Sequence, residues 1–216
     1  PWWDVVVIDD ASTDNFSSFI ENQTIIEKER LTVFEYKKNV GPFTARRKAF
    51  SLAKGDFVLC IDADDGILKE NMLEKINSIA SCYYPDIIMF NMTRDPIKQS
   101  PSFIKYKDIF GSMHGPIDRN TVLQAFVSTY SLNNLASKAI KRTLLAAKEQ
   151  NEVFIINEDR LETLNTIRAA KSFYLHDENY YYYRENPEST TKTHPTIDSF
   201  RQITEIEKRI FAYALE

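Results

Sequence analysis

A chain of 216 residues, 43% hydrophobic and 12% aromatic, can bury a sizeable core as one large domain or as one domain with a small appendage. Its formal net charge of −4, with both signs spread along the chain, argues against a dedicated nucleic-acid binder, which would carry a basic surface. No apolar run approaches the roughly 18 residues that span a bilayer, and no signal-peptide pattern is present, so the expected location is cytoplasmic, with peripheral association at the inner face of a membrane left open. Cys60 and Cys82 read as free core thiols of a reducing compartment rather than as a disulfide.

The chain starts at Pro1-Trp2-Trp3, without methionine, and enters a β-branched strand over 4–8 (DVVVI) almost at once. That run ends in Asp9-Asp10, and Ala11-Ser12-Thr13-Asp14 supplies turn and N-cap residues for a helix to about Lys28. A second strand is predicted over 31–36, a turn at Asn39-Val40-Gly41-Pro42, and a helix over 43–54 that stops at Gly55. The stretch 57–66, FVLCIDADDG, is an unbroken apolar strand running into Asp62, Asp64 and Asp65. A helix over 69–81 and a strand over 86–91 follow. Strand and helix alternate throughout, the pattern of an α/β fold with a mostly parallel sheet and flanking helices. Both carboxylate clusters then fall at C-terminal strand ends, where open α/β sheets bind ligands.

Beyond Arg94 the pattern changes. The stretch 95–116 is polar and loop-like, with Pro96, Pro101, Gly111, Gly115 and Pro116. Helices are predicted over 119–127 and 142–150, and a short strand over 153–156 leads into Asn157-Glu158-Asp159. A helix follows to about Ala170, then a strand over 172–175 and the tyrosine run 180–183, read as an edge strand. The stretch 184–195 is a polar loop, and 197–215 is a terminal amphipathic helix.

Three carboxylates in four positions repel one another unless a cation sits between them, and a hard divalent ion shared with phosphates is the economical candidate. The alternative is a strand-to-helix turn in which Asp65 caps a helix beginning near Leu68. An EF-hand loop fails, since counting from Asp62 places Gly66 fifth and Leu73 twelfth. Neither a P-loop nor a G-x-G-x-x-G run occurs, and His114, His176 and His194 lie too far apart in sequence for a zinc pattern.

The motifs VVVIDDASTDN, NVGPFTARRKAF and GDFVLCIDADDG, followed by SKAIKR (137–142), IINEDRL (155–161) and YYYYRENPEST (180–190), resemble in order those of family 2 glycosyltransferases of the GT-A fold. The resemblance covers nearly the whole chain. It implies a Rossmann-like nucleotide-sugar-binding half over 1–93, a smaller acceptor-side half over 94–195, and a C-terminal amphipathic helix over 196–216. It implies an inverting transfer from a nucleotide-diphosphate sugar, expected to be a UDP-sugar, to a hydroxyl of a glycan, lipid-linked or protein-linked acceptor in bacterial polysaccharide or glycan synthesis.

In that scheme Asp10 accepts from the base N–H, Asp9 points away as the lesser candidate, and Arg46 contacts the nucleotide. Asp64 and Asp65 hold the ribose and a Mg²⁺ or Mn²⁺ ion, supported by Asp62. Asp159 is the general base, with Glu158 beside it, and Arg184 reaches for the diphosphate. Lys138 is read either as a phosphate or acceptor contact or as a surface lysine. His194 is read either as a late metal ligand or as a plain loop residue. For Arg46 and Arg47 a solvated basic helix face is the alternative, and for Glu158 and Asp159 an acidic first turn at the positive end of a helix. Arg47 stands where the family usually has asparagine, and Ala136 where it usually has an aromatic. The family's first strand, which carries P-x-Y-N and lies inside the sheet beside the nucleotide, has no counterpart here. An unpaired interior edge is therefore expected, and with it a second reading, a non-catalytic sugar-nucleotide-binding or assembly module or an inactive fragment. A nucleotidyltransferase is disfavoured by the absence of a Gly-rich phosphate loop.

Overall fold

The structure, a computed structural model, describes residues 3–97, 102–111, 114–145, 154, 156–185 and 196–215. Strand β1 (Val5–Asp9) pairs in parallel with β2 (Leu31–Glu35), from Val5 opposite Leu31 to Asp9 opposite Glu35. Between them runs α1 (Phe16–Asn22), shorter than the predicted helix to Lys28. Gln23 ends it by turning extended, and its side-chain oxygen accepts the N–H groups of Ile25 and Ile26. After β2, Gly41 at φ +84° turns the chain into α2 (Pro42–Leu52), whose proline stands where a helix has no use for an N–H.

Among the described residues this pair forms one sheet, and a second sheet of seven strands carries the rest. The path of the second is β3 (Phe57–Leu59), β8 (Lys138–Lys141), β5 (Ile87–Thr93), β9 (Phe173–Tyr182) and β4 (Gly66–Ile67). Short β6 (Ser102–Ile104) flanks β5, and β7 (His114–Ile117) flanks β9. The α/β class with a central sheet and flanking helices stands. The mostly parallel sheet does not, because β8 slides antiparallel between β3 and β5. Strands β3 and β5 still run the same way, as the crossover through α3 (Met72–Tyr83) requires, and β9 joins β5 in parallel. Strands β4, β6 and β7 pair antiparallel.

All seven residues of β5 are buried, which makes it the spine of the core. Helix α3 lays Met72, Ile76 and Ile79 inward, the i, i+4, i+7 spacing of one helix face. Helix α5 (Arg119–Ser128) buries Val122 and Phe126, and α7 (Glu158–Ala169) buries Leu161, Leu164 and Ile167. The last helix, α8 (Ile197–Ala214), closes over α5 and α7 with Ile206, Ile210 and Tyr213. Cys60 lies at the edge of this core, but Cys82 is exposed at the end of α3, so the expectation of two core thiols holds for one.

Three local outcomes depart from the sequence reading. The loop-like stretch 95–116 contains β6, α4 (Tyr106–Phe110) and β7, each too short to show a period. The predicted strand 172–175 and the tyrosine run are one strand, β9. Asp177 and Glu178 bulge out of its ladder between the pairs Phe90–His176 and Asn91–Asn179. Asp177 accepts from the Asn91 amide at 2.6 Å, and Lys69 pairs with Glu178, so the bulge is held from both sides. Of the predicted strand 153–156, Phe154 and Ile156 are described and neither is in a strand. The helix 142–150 is seen as α6 (Arg142–Leu145), its remainder lying outside the described residues.

Gly41 combines φ +84° with ψ 162°, a region essentially closed to other residues, while a Cβ there would meet nothing within 4 Å. Gly41→Ala should therefore lower the unfolding free energy by about 1–3 kcal/mol through backbone strain alone. Urea unfolding measures this, and an unchanged midpoint would contradict the backbone assignment.

Candidate active site

Phe43 and Phe50 anchor the buried face of α2, and Arg46 is carried on the same helix between them. Its Nη1 donates to Asp159 Oδ1 at 2.6 Å and to Glu158 Oε1 at 3.0 Å, and its Nη2 donates to Asp62 Oδ1 at 3.1 Å. One guanidinium thus gathers carboxylates from the end of β3 and the first turn of α7. Asn157, at φ +56°, makes the sharp entry into α7 that points Glu158 and Asp159 together, a conformation asparagine tolerates better than most residues. Burial opposes the charge on Arg46, but Asp159, Asp62 and Glu158 outweigh it and drive its pKa up. Burial pushes Asp159 up, to about 7; Arg46 pulls it down, while Glu158 and Asp62 add to the rise. One cation facing three anions leaves a surplus negative charge in a partly desolvated cleft. Arg47 is also engaged, donating Nε to Glu162 at 2.8 Å, so the two arginines do not form a solvated basic face.

The acidic loop between β3 and β4 is tied to β9. The Asp62 N–H donates to Tyr181 Oη at 3.1 Å, Tyr181 Oη donates to Asp65 Oδ2 at 2.6 Å, and the Arg184 N–H donates to Asp65 Oδ1 at 2.9 Å. Asp65 caps no helix: α3 begins at Met72, and its N-cap, Asn71, makes no side-chain bond. Burial raises the Asp65 pKa, its two hydrogen bonds lower it, and Asp62 and Asp64 raise it further. Among the described residues no three His, Cys, Asp or Glu side chains form a ready-made metal cage. The donor set still suits Mg²⁺ or Mn²⁺. Hard carboxylate oxygens on one loop fit an ion that takes its remaining ligands from phosphates and water.

The first carboxylate pair sits at the end of β1. Asp10 accepts the Val40 N–H at 2.7 Å and the Gly41 N–H at 2.8 Å, one on each carboxylate oxygen, and so fixes the entry into α2 that carries Arg46. Asp9 is buried and accepts the Ser12 N–H. Arg184 touches the site through its backbone, and its side chain is exposed. His194 and the tail motif past residue 185 lie outside the described residues.

Lys138 is neither a surface lysine nor a phosphate contact. It is 1% exposed, and its ammonium donates to the carbonyls of Leu132 (2.9 Å) and Asn134 and to Tyr106 Oη. Burial pushes its pKa down to about 7, against a weaker upward pull from Asp159. Burial likewise pushes the Cys60 thiol up to about 12, the nearby carboxylates Asp159, Asp62 and Glu162 adding to the rise and Arg46 opposing it. The histidines separated in sequence are not all separated in space, since His114 and His176 face each other across β7 and β9 with ring centroids 5.0 Å apart. His114 Nδ1 accepts the Asp177 N–H at 3.2 Å, and His176 Nε2 meets Tyr180 Oη at 2.9 Å, so a nitrogen of each ring is already occupied.

Residues 1–131, more than half of the chain, match the model of a family described as glycosyl transferase family 2. The chain belongs to that family. The match stops short of Glu158, Asp159 and Arg184. A relative that reaches further is glycosyltransferase GlyG of Streptococcus pneumoniae, 24% identical over 208 residues, which cover 94% of this chain and 68% of GlyG. The putative teichuronic acid biosynthesis glycosyltransferase TuaG of Bacillus subtilis is 28% identical over 131 residues, 55% of this chain and 52% of TuaG. Among solved structures, residues 1–349 of S. aureus TarS superpose with a TM-score of 0.63 at 22% identity, over 85% of this chain and 51% of that one. The likeness to TarS is one of fold. The family 2 chain thus spans about half the length of TuaG and of TarS 1–349. No helix among its described residues is long and apolar enough to cross a membrane.

Lys138→Met keeps the volume of the stem but strands two buried carbonyls. At about 1–3 kcal/mol per unsatisfied group, stability should fall by roughly 2–6 kcal/mol. Chemical unfolding measures this, and a variant as stable as wild type would show that the ammonium bonds contribute nothing.

Proposed function

We propose that this family 2 chain transfers a sugar from a nucleoside-diphosphate donor to an acceptor hydroxyl with inversion, with Asp159 as general base. The observation that carries the proposal is the cluster at Arg46, which joins Asp62 of the donor-side acidic loop to Asp159 of α7 through one guanidinium. A donor held at the loop would then lie within reach of a carboxylate from the other half of the chain. Asp159 takes the acceptor proton, the oxygen attacks the anomeric carbon opposite the diphosphate, and the carbon–oxygen bond to the diphosphate breaks with its electrons leaving on phosphate. One displacement inverts the centre.

Arg46 serves this chemistry by aiming Asp159, while the surplus of carboxylates over cations leaves Asp159 able to accept a proton. Glu158 completes the cluster. Asp64 and Asp65 would hold a Mg²⁺ or Mn²⁺ ion, with Asp62 in support, and the ion, when bound, offsets charge gathering on the leaving diphosphate. Asp10, whose two oxygens each keep spare acceptor capacity, remains the candidate for the base N–H of a uracil, and Arg184 for the diphosphate. A UDP-sugar as donor and a glycan, lipid-linked or protein-linked acceptor at the cytoplasmic face belong to this proposal. The roles of TuaG in teichuronic acid biosynthesis and of TarS as a poly(ribitol-phosphate) β-N-acetylglucosaminyltransferase support only its placement in bacterial polymer synthesis. The halves 1–93 and 94–195 would bind donor and acceptor respectively. Binding without transfer is favoured by one feature, the separation of the β1–β2 pair from the seven-stranded sheet.

Asp159→Asn should leave UDP affinity unchanged and cut transfer by roughly 10²–10⁴-fold, as loss of a general base does. Binding calorimetry with a transfer assay checks both, and near-normal transfer would eliminate the base role. A base is active as the carboxylate, so transfer should climb as pH rises through about 7, the value to which burial lifts Asp159, and level off above it. A profile flat from pH 5 to 9 would contradict this.

A further inference from the structure

Tyr181 is fully buried in β9, yet its hydroxyl is aimed at the acidic loop. The oxygen accepts the Asp62 N–H at 3.1 Å, and the single hydroxyl proton goes to Asp65 Oδ2 at 2.6 Å. The other oxygen of Asp65 takes the Arg184 N–H at 2.9 Å. Both carboxylate oxygens are thereby aimed, one from β9 and one from Arg184, two residues beyond its end.

Arg46 holds the Asp62 carboxylate of the same loop at 3.1 Å, and Tyr181 holds its Asp62 N–H and its Asp65 carboxylate. One turn bond, Asp65 N–H to Asp62 O at 3.0 Å, closes it, and β4, the strand it feeds, is two residues long and paired with Tyr181 and Tyr182. A carboxylate has about four lone-pair sites, and two are taken, so the direction of the other two is set by where the hydroxyl and the amide stand.

We infer that Tyr181 is a positioning residue for the acidic loop: its hydroxyl holds Asp62 and Asp65 in the relation that lets Asp65 present its remaining lone pairs to a divalent cation and the phosphates of the donor. This rests on the reading of Asp65 as a metal ligand, and the experiment separates the two. Manganese binding is followed from the EPR signal of free Mn²⁺, with UDP present, for wild type, Tyr181→Phe, Asp65→Asn and Tyr180→Phe. Tyr180 loses a hydroxyl of the same strand that bonds His176 instead and is the control for removing a buried phenol oxygen.

The expected result for Tyr181→Phe is a loss of Mn²⁺ affinity of roughly 10–100-fold, the usual effect of removing a group that orients a ligand, with Tyr180→Phe at the wild-type value. Its turnover should return at saturating Mn²⁺, which distinguishes a misaimed ligand from a damaged fold. Wild-type affinity in Tyr181→Phe, with affinity lost in Asp65→Asn, overturns the positioning role and leaves the metal reading intact. Wild-type affinity in both overturns the metal reading and this inference with it. A defect that saturating Mn²⁺ does not relieve, or an equal loss in Tyr180→Phe, overturns the inference as well.

Discussion

Arg46 holds the two halves of this chain together at the point where chemistry is proposed. Its planar fork reaches Asp62 with one nitrogen and Glu158 and Asp159 with the other, a division that the single point charge of a lysine could not reproduce. Everything around it serves that placement. Asp10 fastens the turn before α2, Gly41 permits the turn, and Phe43 and Phe50 set the helix against the core. Asn157 turns the chain so that α7 begins with two carboxylates facing the guanidinium. Remove the cation and three partly desolvated carboxylates are left facing one another, an arrangement whose repulsion the surrounding packing and solvent would have to absorb.

The second support is β9. It is the parallel neighbour of the buried strand β5, and it sends Tyr181 back to the acidic loop across the sheet. Its bulge at Asp177 and Glu178 lets one strand follow β5 at both ends although its residues do not stay in step. Strand β9 therefore couples the core to the acidic loop, and a change in how β9 lies on β5 would be felt at Asp65. Lys138 plays a comparable part beneath the surface. It sits in β8, between β3 and β5, and ties down the carbonyls of Leu132 and Asn134 in the segment that leads into that strand.

Much of this was legible beforehand, for reasons that differ by element. The β-branched run of 4–8 and the helical spacing of Ile203, Ile206 and Ile210 are local patterns that became the elements they suggested, and the apolar run of 57–61 did so over its first three residues, Phe57–Leu59. The carboxylates at strand ends were conspicuous because like charges rarely crowd without a reason. Strand β8 was not legible, because a lysine at its head reads as surface. The buried amine is tolerable because the loop before the strand turns the carbonyls of Leu132 and Asn134 back onto it and Tyr106 brings its Oη from 32 positions away, and no periodicity records either. The pairing of His114 with His176, and the use of Tyr181 as a donor to Asp65, were hidden for the same reason: 62 and 116 positions separate the partners, and no local pattern records a cross-strand register.

The sequence by itself determined the α/β class, the order of most elements, the family, and which side chains carry charge at strand ends. Those depend on periodicity and composition, which act over a few residues. Tertiary structure decided the direction of the strands around β5, the partners of Arg46 and the anchoring of Asp65 by Tyr181. Each of these depends on which distant segments are brought within about 3 Å of one another, the range over which a hydrogen bond forms. Burial, a property of the whole packed chain, then set the protonation of Asp159 and Lys138, which no stretch of sequence displays.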